Sequence, residues 1–195
     1  MRIAIAGYKL DGIRGGAHMA HLELGEFLRQ RGHSVRYVAL KGAKSTRHGH
    51  PIRVGAKALA QASQWARRIM VRGEKRIHRL LPHLKAPVVW IVHSPSGSPE
   101  DLDATLPAGG KLVFVSQAVR DEVAKLYGDP GGTVIEGNPM DLSRVTVTPG
   151  DRVTLVNLSE RKGGALFWRP AEAMPDTTFL GVKLWGEQVV PATKP

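Results

Sequence analysis

The chain has 195 residues and a formal charge of +11, its residues are 42% hydrophobic, and it contains no cysteine. This composition predicts a globular protein and excludes disulfides, thiol chemistry and zinc sites built on thiolates. The apolar run at residues 3–7 is too short for a signal peptide, and the longest stretch without a charged residue, 86–99, is broken by prolines and a histidine. We therefore expect a cytoplasmic protein without a membrane span.

A βαβ unit is predicted at the start of the chain. Strand 2–7, RIAIAG, is apolar on both faces, a glycine-bearing loop follows, and a helix over 17–31 leads to a second strand over 34–40. The loop ends in Gly15 and Gly16, directly before the helix, where backbone amides and the helix dipole favour an anion. The alternative is that these glycines serve only the turn. No dinucleotide fingerprint is present, and no acid follows the second strand, which counts against NAD.

The positive charge is concentrated in the next segment. Between Lys41 and Lys85, twelve lysines and arginines accompany a single acid, Glu74, so the rest of the chain is close to neutral. We expect a basic loop over 41–54 and then a helix over 56–81 with one apolar side. The basic residues assigned to its other side are Arg67, Arg68, Arg72, Lys75, Arg76 and Arg79. Such a face attracts an anionic membrane surface or, less favourably with so few aromatic residues, nucleic acid; the alternative is an ordinary solvated face.

The remaining pattern alternates strands with helices. Strands are predicted at 87–93, 111–116 and 133–135, with a helix at 117–127 between the last two. After a linker at 146–151 come a strand at 152–157, a helix at 163–174 and a strand at 178–182. This order predicts an α/β fold: a Rossmann-like doubly wound parallel sheet over residues 1–148 and a partial second βαβ unit over 149–195. Ligands of such sheets bind beyond the carboxyl ends of the strands.

His93 and a pair of cations are the candidates for chemistry at these strand ends. His93 ends the strand PVVWIVH, where it would either donate to a substrate hydroxyl or phosphate or be held by a backbone carbonyl. Arg161 and Lys162 precede a predicted helix start and suit a diphosphate, unless they lie on a plain solvated turn.

No metal site is expected. His18 and His21 share a face of the first predicted helix but lack a third ligand. Asp101-Leu-Asp103 has the form of a metal-binding pair, but the preceding Ser98 and Pro99 make it the capped start of a helix.

Five segments, taken in order, resemble the family 4 retaining glycosyltransferases of the GT-B fold. The opening RIAIAGY…GGAHMAHLELGEFLRQRGHSVRYV is similar to the family's strand, Gly-Gly loop, helix and Arg-Gly-His before the second strand. WIVHS is similar to its strand ending in histidine, FVSQAVRDEV to its Val-Ser and helix, and VIEGNPMDLSRV to its Asn-Gly-Val-Asp segment. TLVNLSERKGGALF is similar to the strand and Lys-Gly turn that begin its second domain, although Asn157-Leu158 stand where the family usually has Gly-Arg.

The resemblance implies roles for particular residues. Gly15 and Gly16 would face the donor diphosphate, His93 would lie at the reacting sugar or the acceptor, and Lys162 with Arg161 would hold the diphosphate. It also implies a retaining, metal-independent transfer in which the nucleotide sugar is a substrate and no cofactor takes part. The family's donor domain carries a glutamate pair that the sequence does not reach. We therefore expect a truncated donor-binding domain, with a partner chain supplying its other half.

Two hypotheses about function follow. The first is a glycosyltransferase-like protein that moves a sugar from a nucleotide sugar to an unknown acceptor and is inactive alone if it is truncated. The second is a non-catalytic binding module or remnant whose basic helix binds an anionic membrane surface, or nucleic acid. Sugar transfer requires that the loop before the first helix, His93 and the cations at 161–162 converge on one cleft.

Overall fold

The structure is a computed structural model that describes residues 1–10, 16–47, 49–72, 77, 79–94, 109–129, 131–135, 137, 148 and 150–183. The side chain of Arg161 lies outside that description. The chain divides into two compact units, Met1–Leu142 and Ser143–Pro195, and the predicted boundary after residue 148 falls six residues further along.

A mostly parallel sheet forms the centre of the first unit. Its described strands are β1 (Arg2–Gly7), β2 (Ser34–Ala39), β3 (Ser45–Arg47), β4 (His50–Val54), β5 (Arg68–Arg72), β6 (Val88–Val92), β7 (Lys111–Phe114) and β8 (Thr133–Val134). They lie in the order β3-β4-β2-β1-β5-β6-β7-β8, and only β3 is antiparallel to its neighbour. The unit is therefore an α/β protein whose sheet is compatible with a Rossmann-like fold, as the strand and helix pattern predicts.

Helices cover both faces of this sheet. They are α1 (Gly16–Gln30), α2 (Ala56–Trp65) and α3 (Gln117–Tyr127). Because side chains alternate along a strand, β1 sends Ile3 and Ile5 to one core with Leu22 of α1, and its alanines to a second core with Leu59 of α2 and Val123 of α3. The strand is buried on both faces, which explains its unbroken apolar sequence.

Helix α3 shows how local signals fix an element. Its observed bounds, 117–127, are those predicted. The Ser116 side chain accepts a hydrogen bond from the Val119 amide at 3.2 Å, which caps the amino end. Gly128, with a φ of 81°, ends the helix because glycine adopts that backbone angle without a steric penalty.

Gly25 sets the distance between α1 and the sheet. A Cβ atom at this position would lie 2.6 Å from both Cε1 and Oη of Tyr37, whose side chain is fully buried and donates from Oη to the Leu22 carbonyl. We expect Gly25→Ala to lower the free energy of unfolding by about 1–2 kcal/mol, because overpacking costs more than the better helix propensity of alanine returns. Urea unfolding measures this. Gly16→Ala in the same helix, with no described atom near its Cβ, should leave stability unchanged or raise it.

The predicted helix over 56–81 is wrong at residues 66–72. Helix α2 ends at Trp65, Ala66 is extended, and the next residues form β5. The run Ile69-Met70-Val71 pairs with β1 on one side and β6 on the other, so strand hydrogen bonds on both sides replace a helical turn. The basic helix proposed to bind an anionic surface does not exist in this form.

The predicted loop over 41–54 is also wrong. Residues 45–47 and 50–54 form a hairpin, β3 and β4, at the edge of the sheet. Arg47 in this hairpin makes a 3.0 Å ion pair with Glu23 of α1. The alternation of a buried Ile52 with an exposed Arg53 is the strand signal in a segment whose charge and glycines indicate a loop.

The second unit contains a small βαβ arrangement. Strands β9 (Val153–Val156) and β10 (Phe179–Val182) pair in parallel, and helix α4 (Gly164–Ala173) lies between them in sequence. Phe167 of α4 contacts Phe179 edge to face, with ring centroids 5.5 Å apart. Pro170 lies inside α4, where it removes one backbone hydrogen bond at a cost of about 3 kcal/mol.

No helix that falls within the described ranges combines the length and the apolar character needed to cross a bilayer.

Candidate functional site

The order of the strands creates a crevice beside β1. The chain passes from β1 through α1 to β2 on one side, and later returns to β5 on the other side of β1. At such a reversal the loops leave the carboxyl ends of the two strands in opposite directions, which opens a space for a ligand. The crevice of the first unit is therefore bounded by the end of β1, the start of α1 and the end of β5.

Three histidines and one arginine meet at this crevice. Arg72 is the last residue of β5, and its guanidinium donates a hydrogen bond to Nε2 of His18 in the first turn of α1. His93 follows the end of β6 and interacts electrostatically with both of these side chains. His21, one turn further along α1, is fully buried and interacts with all three. We call these four residues the crevice cluster.

Burial keeps the three imidazoles of the cluster uncharged at neutral pH. Burial and then the charge of Arg72 lower the pKa of His18 to about 4. Burial lowers the pKa of His21 to about 3, although its hydrogen bond to the Ala6 carbonyl acts in the opposite direction. Burial, Arg72 and His18 also lower the pKa of His93. Burial lowers the pKa of Arg72 to about 10, still far enough above 7 that the guanidinium carries the positive charge of the cluster.

Hydrogen bonds define which ring nitrogens carry protons. His18 Nε2 accepts from a guanidinium, so the proton of the neutral ring is on Nδ1. His21 Nε2 lies 3.2 Å from the Ala6 carbonyl oxygen, which only accepts, so here the proton is on Nε2 and Nδ1 is a bare acceptor. Within the described part of the chain, His21 Nδ1 and His93 Nε2 are buried without a hydrogen-bond partner. Each such atom costs about 1–3 kcal/mol unless a ligand or water pairs with it.

The crevice receives two of the predicted site residues. His93 lies in the cluster, at the strand end where the sequence places it. Gly16 is the first residue of α1, is exposed, and has no described atom within 4 Å of where its Cβ would be. Gly15 lies outside the described residues. The helix has no acid in its first turn, so its amino-terminal dipole adds positive potential beside Arg72.

The predicted cation pair at 161–162 belongs to the second unit. Lys162 is exposed at the end of a 3-10 turn, Glu160–Lys162, that leads into α4. The amides of Lys162 and Gly164 donate to the Ser159 carbonyl, and that of Gly163 donates to Glu160, so three amides at this helix start are already paired. Lys162 therefore offers a ligand its ammonium group, because the backbone amides around it are already hydrogen-bonded. The convergence of Lys162 with the crevice stays a prediction.

Asn157 stands where the resembling family usually has glycine, and its backbone has a positive φ. Asn157 has a φ of 75°, in the left-handed region that asparagine tolerates better than most residues, and its side chain accepts from the Ser159 amide at 3.1 Å. Leu158, at the family's arginine position, is 6% exposed and lies against Gly181. No cation is present at that position of the turn.

The basic residues assigned to one helix are distributed over the first unit. Arg67 and Arg68 lie at the start of β5, Arg72 lies in the crevice at its end, and Arg79 is exposed in a later turn. Lys75 and Arg76 lie outside the described residues. Arg68 begins β5 and Arg72 ends it, so these two arginines lie at opposite ends of the sheet.

His18 and His21 are functional candidates that the sequence analysis missed, and Arg72, which it assigned to a basic helix face, lies instead in the crevice cluster. The sequence suggests only metal binding for the two histidines, without a third ligand. In the parts of the chain that the structure describes, no group of three or more His, Asp or Glu side chains is positioned to hold a metal ion. A signal was present: two histidines one turn apart after a glycine loop, and an arginine ending an apolar run. This signal can be interpreted only when residues 68–72 are known to form a strand beside β1.

A scan of the sequence against protein-family models gives no match, and a search of curated proteins gives none either. The structure defines the class by itself: an α/β protein with a mostly parallel sheet and a cationic, histidine-rich cluster at the reversal of its strand order.

Proposed function

We propose that the chain is glycosyltransferase-like and that the crevice of the first unit receives the diphosphate end of a nucleotide sugar. One observation carries the proposal: half-buried Arg72, the imidazoles of His18 and His93 and the start of α1 lie at the strand ends where ligands bind in open parallel sheets. The five resembling segments support the same reading, since Gly16 and His93, which match the family's Gly-Gly loop and strand-end histidine, lie beside this crevice.

Arg72 and α1 supply the groups that a diphosphate needs. A guanidinium donates several hydrogen bonds in a fixed plane and keeps its charge, and a helix start adds its dipole and amides. In a sugar transfer, negative charge grows on the diphosphate as its bond to the sugar breaks. Donors that are already fixed around that position stabilise the transition state without reorganisation.

The histidines suit the uncharged part of the ligand. Neutral imidazoles exchange hydrogen bonds with sugar hydroxyls without the desolvation cost of a second and third charge. His93, with its unpaired Nε2, is the proposed contact for the donor sugar or for the acceptor. Lys162, with Arg161, is proposed to bind a diphosphate, and the reaction is proposed to be retaining and metal-independent, as in the resembling family.

Two assays on the pure chain test the proposal. Thermal unfolding with UDP, GDP and ADP should show a rise in Tm with one of them, because a ligand that binds only the folded state stabilises it by mass action. A matching nucleotide sugar should be hydrolysed slowly. If none of the three nucleotides raises Tm and no nucleotide sugar is hydrolysed, the proposal is wrong for this chain.

Gly16→Ala tests the approach of a phosphate to the start of α1. Because no described atom lies near the added methyl group, the fold should be retained. We expect the affinity for the nucleoside diphosphate to fall about tenfold, the loss of roughly one hydrogen bond to a charged group. Isothermal titration measures this. Unchanged affinity would exclude the diphosphate from the amino end of α1.

A further inference from the structure

A second candidate site, an open surface groove, lies at the opposite end of the sheet from the crevice. It is a groove of about 600 Å³ between the end of α2, the start of β5 and the segment before β6, lined by Ser63, Arg67, Arg68, Lys85 and Pro87 among others. We call it the amino-edge groove. Because Arg68 begins β5 and Arg72 ends it, the groove and the crevice are separate sites.

The floor of the groove is held in place by hydrogen bonds. Ser63, buried in α2, accepts at its Oγ from the Lys85 amide at 2.6 Å and from the Ala86 amide at 3.4 Å. The Arg67 amide donates to the Arg2 carbonyl at 2.9 Å, and the Ile69 amide donates to Pro87 at 3.1 Å. The backbone that carries the basic side chains is therefore fixed before any ligand binds.

Three cations line the groove without a neutralising acid. Arg67, Arg68 and Lys85 are exposed, and in the described ranges none of them forms an ion pair with a carboxylate. The Arg68 guanidinium donates to the Arg67 carbonyl at 2.8 Å, which fixes its position. The carbonyl end of α2 offsets roughly half of one positive charge, so most of the positive potential is left for a ligand.

Two more arginines extend the positive surface beside the groove. The Arg36 guanidinium lies 4.0 Å from the centroid of the Trp65 ring, and that of Arg2 lies 6.0 Å from it. Burial and then the charges of Arg53 and Arg2 lower the pKa of Arg36, as expected where like charges are not neutralised. Because arginines already stack on Trp65, its ring is a poor platform for a nucleic-acid base.

We propose that the amino-edge groove binds a phosphate ester, held by Arg67, Arg68 and Lys85. Two guanidinium groups and an ammonium group provide the planar and point-charge donors that a phosphate accepts. The groove has the volume of a small-ligand site and is open to solvent, so its three cations can hold a phosphate group while the rest of the molecule stays outside. The same chemistry is offered by a soluble phosphorylated metabolite and by a phospholipid headgroup.

The test uses glycerol 3-phosphate as the soluble probe and phosphatidylcholine vesicles with and without phosphatidic acid as the lipid probe. The chain carries Arg72→Met, so that the crevice does not contribute. Replacing Arg67, Arg68 and Lys85 by glutamine should weaken binding at least about tenfold. The control replaces Lys41, Lys57 and Lys125 by glutamine, which removes the same charge elsewhere and should change binding less than about twofold.

Each outcome decides the proposal. Groove-dependent binding of glycerol 3-phosphate supports it and assigns a soluble ligand, whereas groove-dependent binding to phosphatidic acid vesicles alone supports it and assigns a headgroup. Equal losses in the groove variant and the control would overturn it, since the general charge of the chain would then explain binding. If the chain binds neither glycerol 3-phosphate nor the phosphatidic acid vesicles, the proposal is overturned as well.

Discussion

Replacing Arg72 by methionine is expected to weaken binding of the nucleoside diphosphate by about 10- to 100-fold, because a charge-assisted hydrogen bond to a buried anion contributes roughly 1.5–3 kcal/mol. Methionine retains most of the apolar stem that packs at the end of β5, so the sheet should remain intact. The loss should be larger for the slow hydrolysis of the nucleotide sugar, where removal of one positioned donor typically costs about 100- to 1000-fold in rate.

The matched control for this variant is Arg79→Met. Arg79 is exposed in a turn outside the crevice, and its loss changes the net charge of the chain by the same amount. We expect nucleotide affinity within about twofold of the unmodified chain, since an exposed charge at a distance is screened by salt. Similar losses in both variants would mean that overall charge, and not the crevice, attracts the nucleotide.

Replacing His21 by leucine is expected to make the first unit less sensitive to acid. The pKa of His21 in the folded chain is about 3, below its ordinary value of 6.5, so the unfolded chain takes up this proton more readily. The stability that the neutral ring contributes is complete above pH 6.5 and is lost as the pH falls from there toward 3. At pH 5 the loss from this one residue amounts to about 2 kcal/mol.

Urea unfolding at pH 7 and pH 5 measures this contribution. Losing the hydrogen bond to the Ala6 carbonyl shifts the stability of the variant by a similar amount at both pH values. The drop between them should therefore be about 2 kcal/mol smaller in His21→Leu than in the unmodified chain. His83→Leu, at an exposed histidine on the 3-10 turn Leu81–His83, is the control and should leave the drop unchanged. If the stability of His21→Leu falls between pH 7 and pH 5 by as much as that of the unmodified chain, the His21 ring is not held neutral in the core.

Local signals account for the elements that the sequence predicts well. The first strand is apolar on both faces, and α3 has a serine cap at one end and Gly128 at the other. The class of fold follows from the alternation of such elements, because a parallel sheet needs a crossover between its strands. These features depend on neighbours in sequence, so no distant contact has to be known.

The central strand β5 depends on distant contacts, which is why the helix prediction over 56–81 fails. Ile69 and Met70 satisfy a helical period that begins at Leu59, and no glycine or proline stops that pattern at Ala66. Pairing of this segment with β1 and with β6 decides the outcome, and the residues of β1 lie 60 or more positions away in the chain. Misplacing this strand also hides the end of β5, and with it Arg72.

The candidate site was therefore predicted only in part. His93 is recognisable because it ends an apolar strand in a parallel sheet. His18 and Arg72 are 54 positions apart in the chain, and only the strand order brings them into hydrogen-bond contact. The cations at 161–162 follow a strand end in the second unit, a local pattern that specifies a turn without specifying what the turn faces.

Titration of the chain with the nucleotide that raises its Tm, followed by NMR of the imidazole resonances, tests the central claim most directly. If the diphosphate enters the crevice, the ring signals of His18 and His93 shift saturably, and those of half-buried His50 and exposed His83 stay in place. In Arg72→Met the same shifts should require about 10- to 100-fold more ligand. Saturable binding that leaves the signals of His18, His21 and His93 unmoved would contradict a nucleotide-sugar site at the reversal of the strand order.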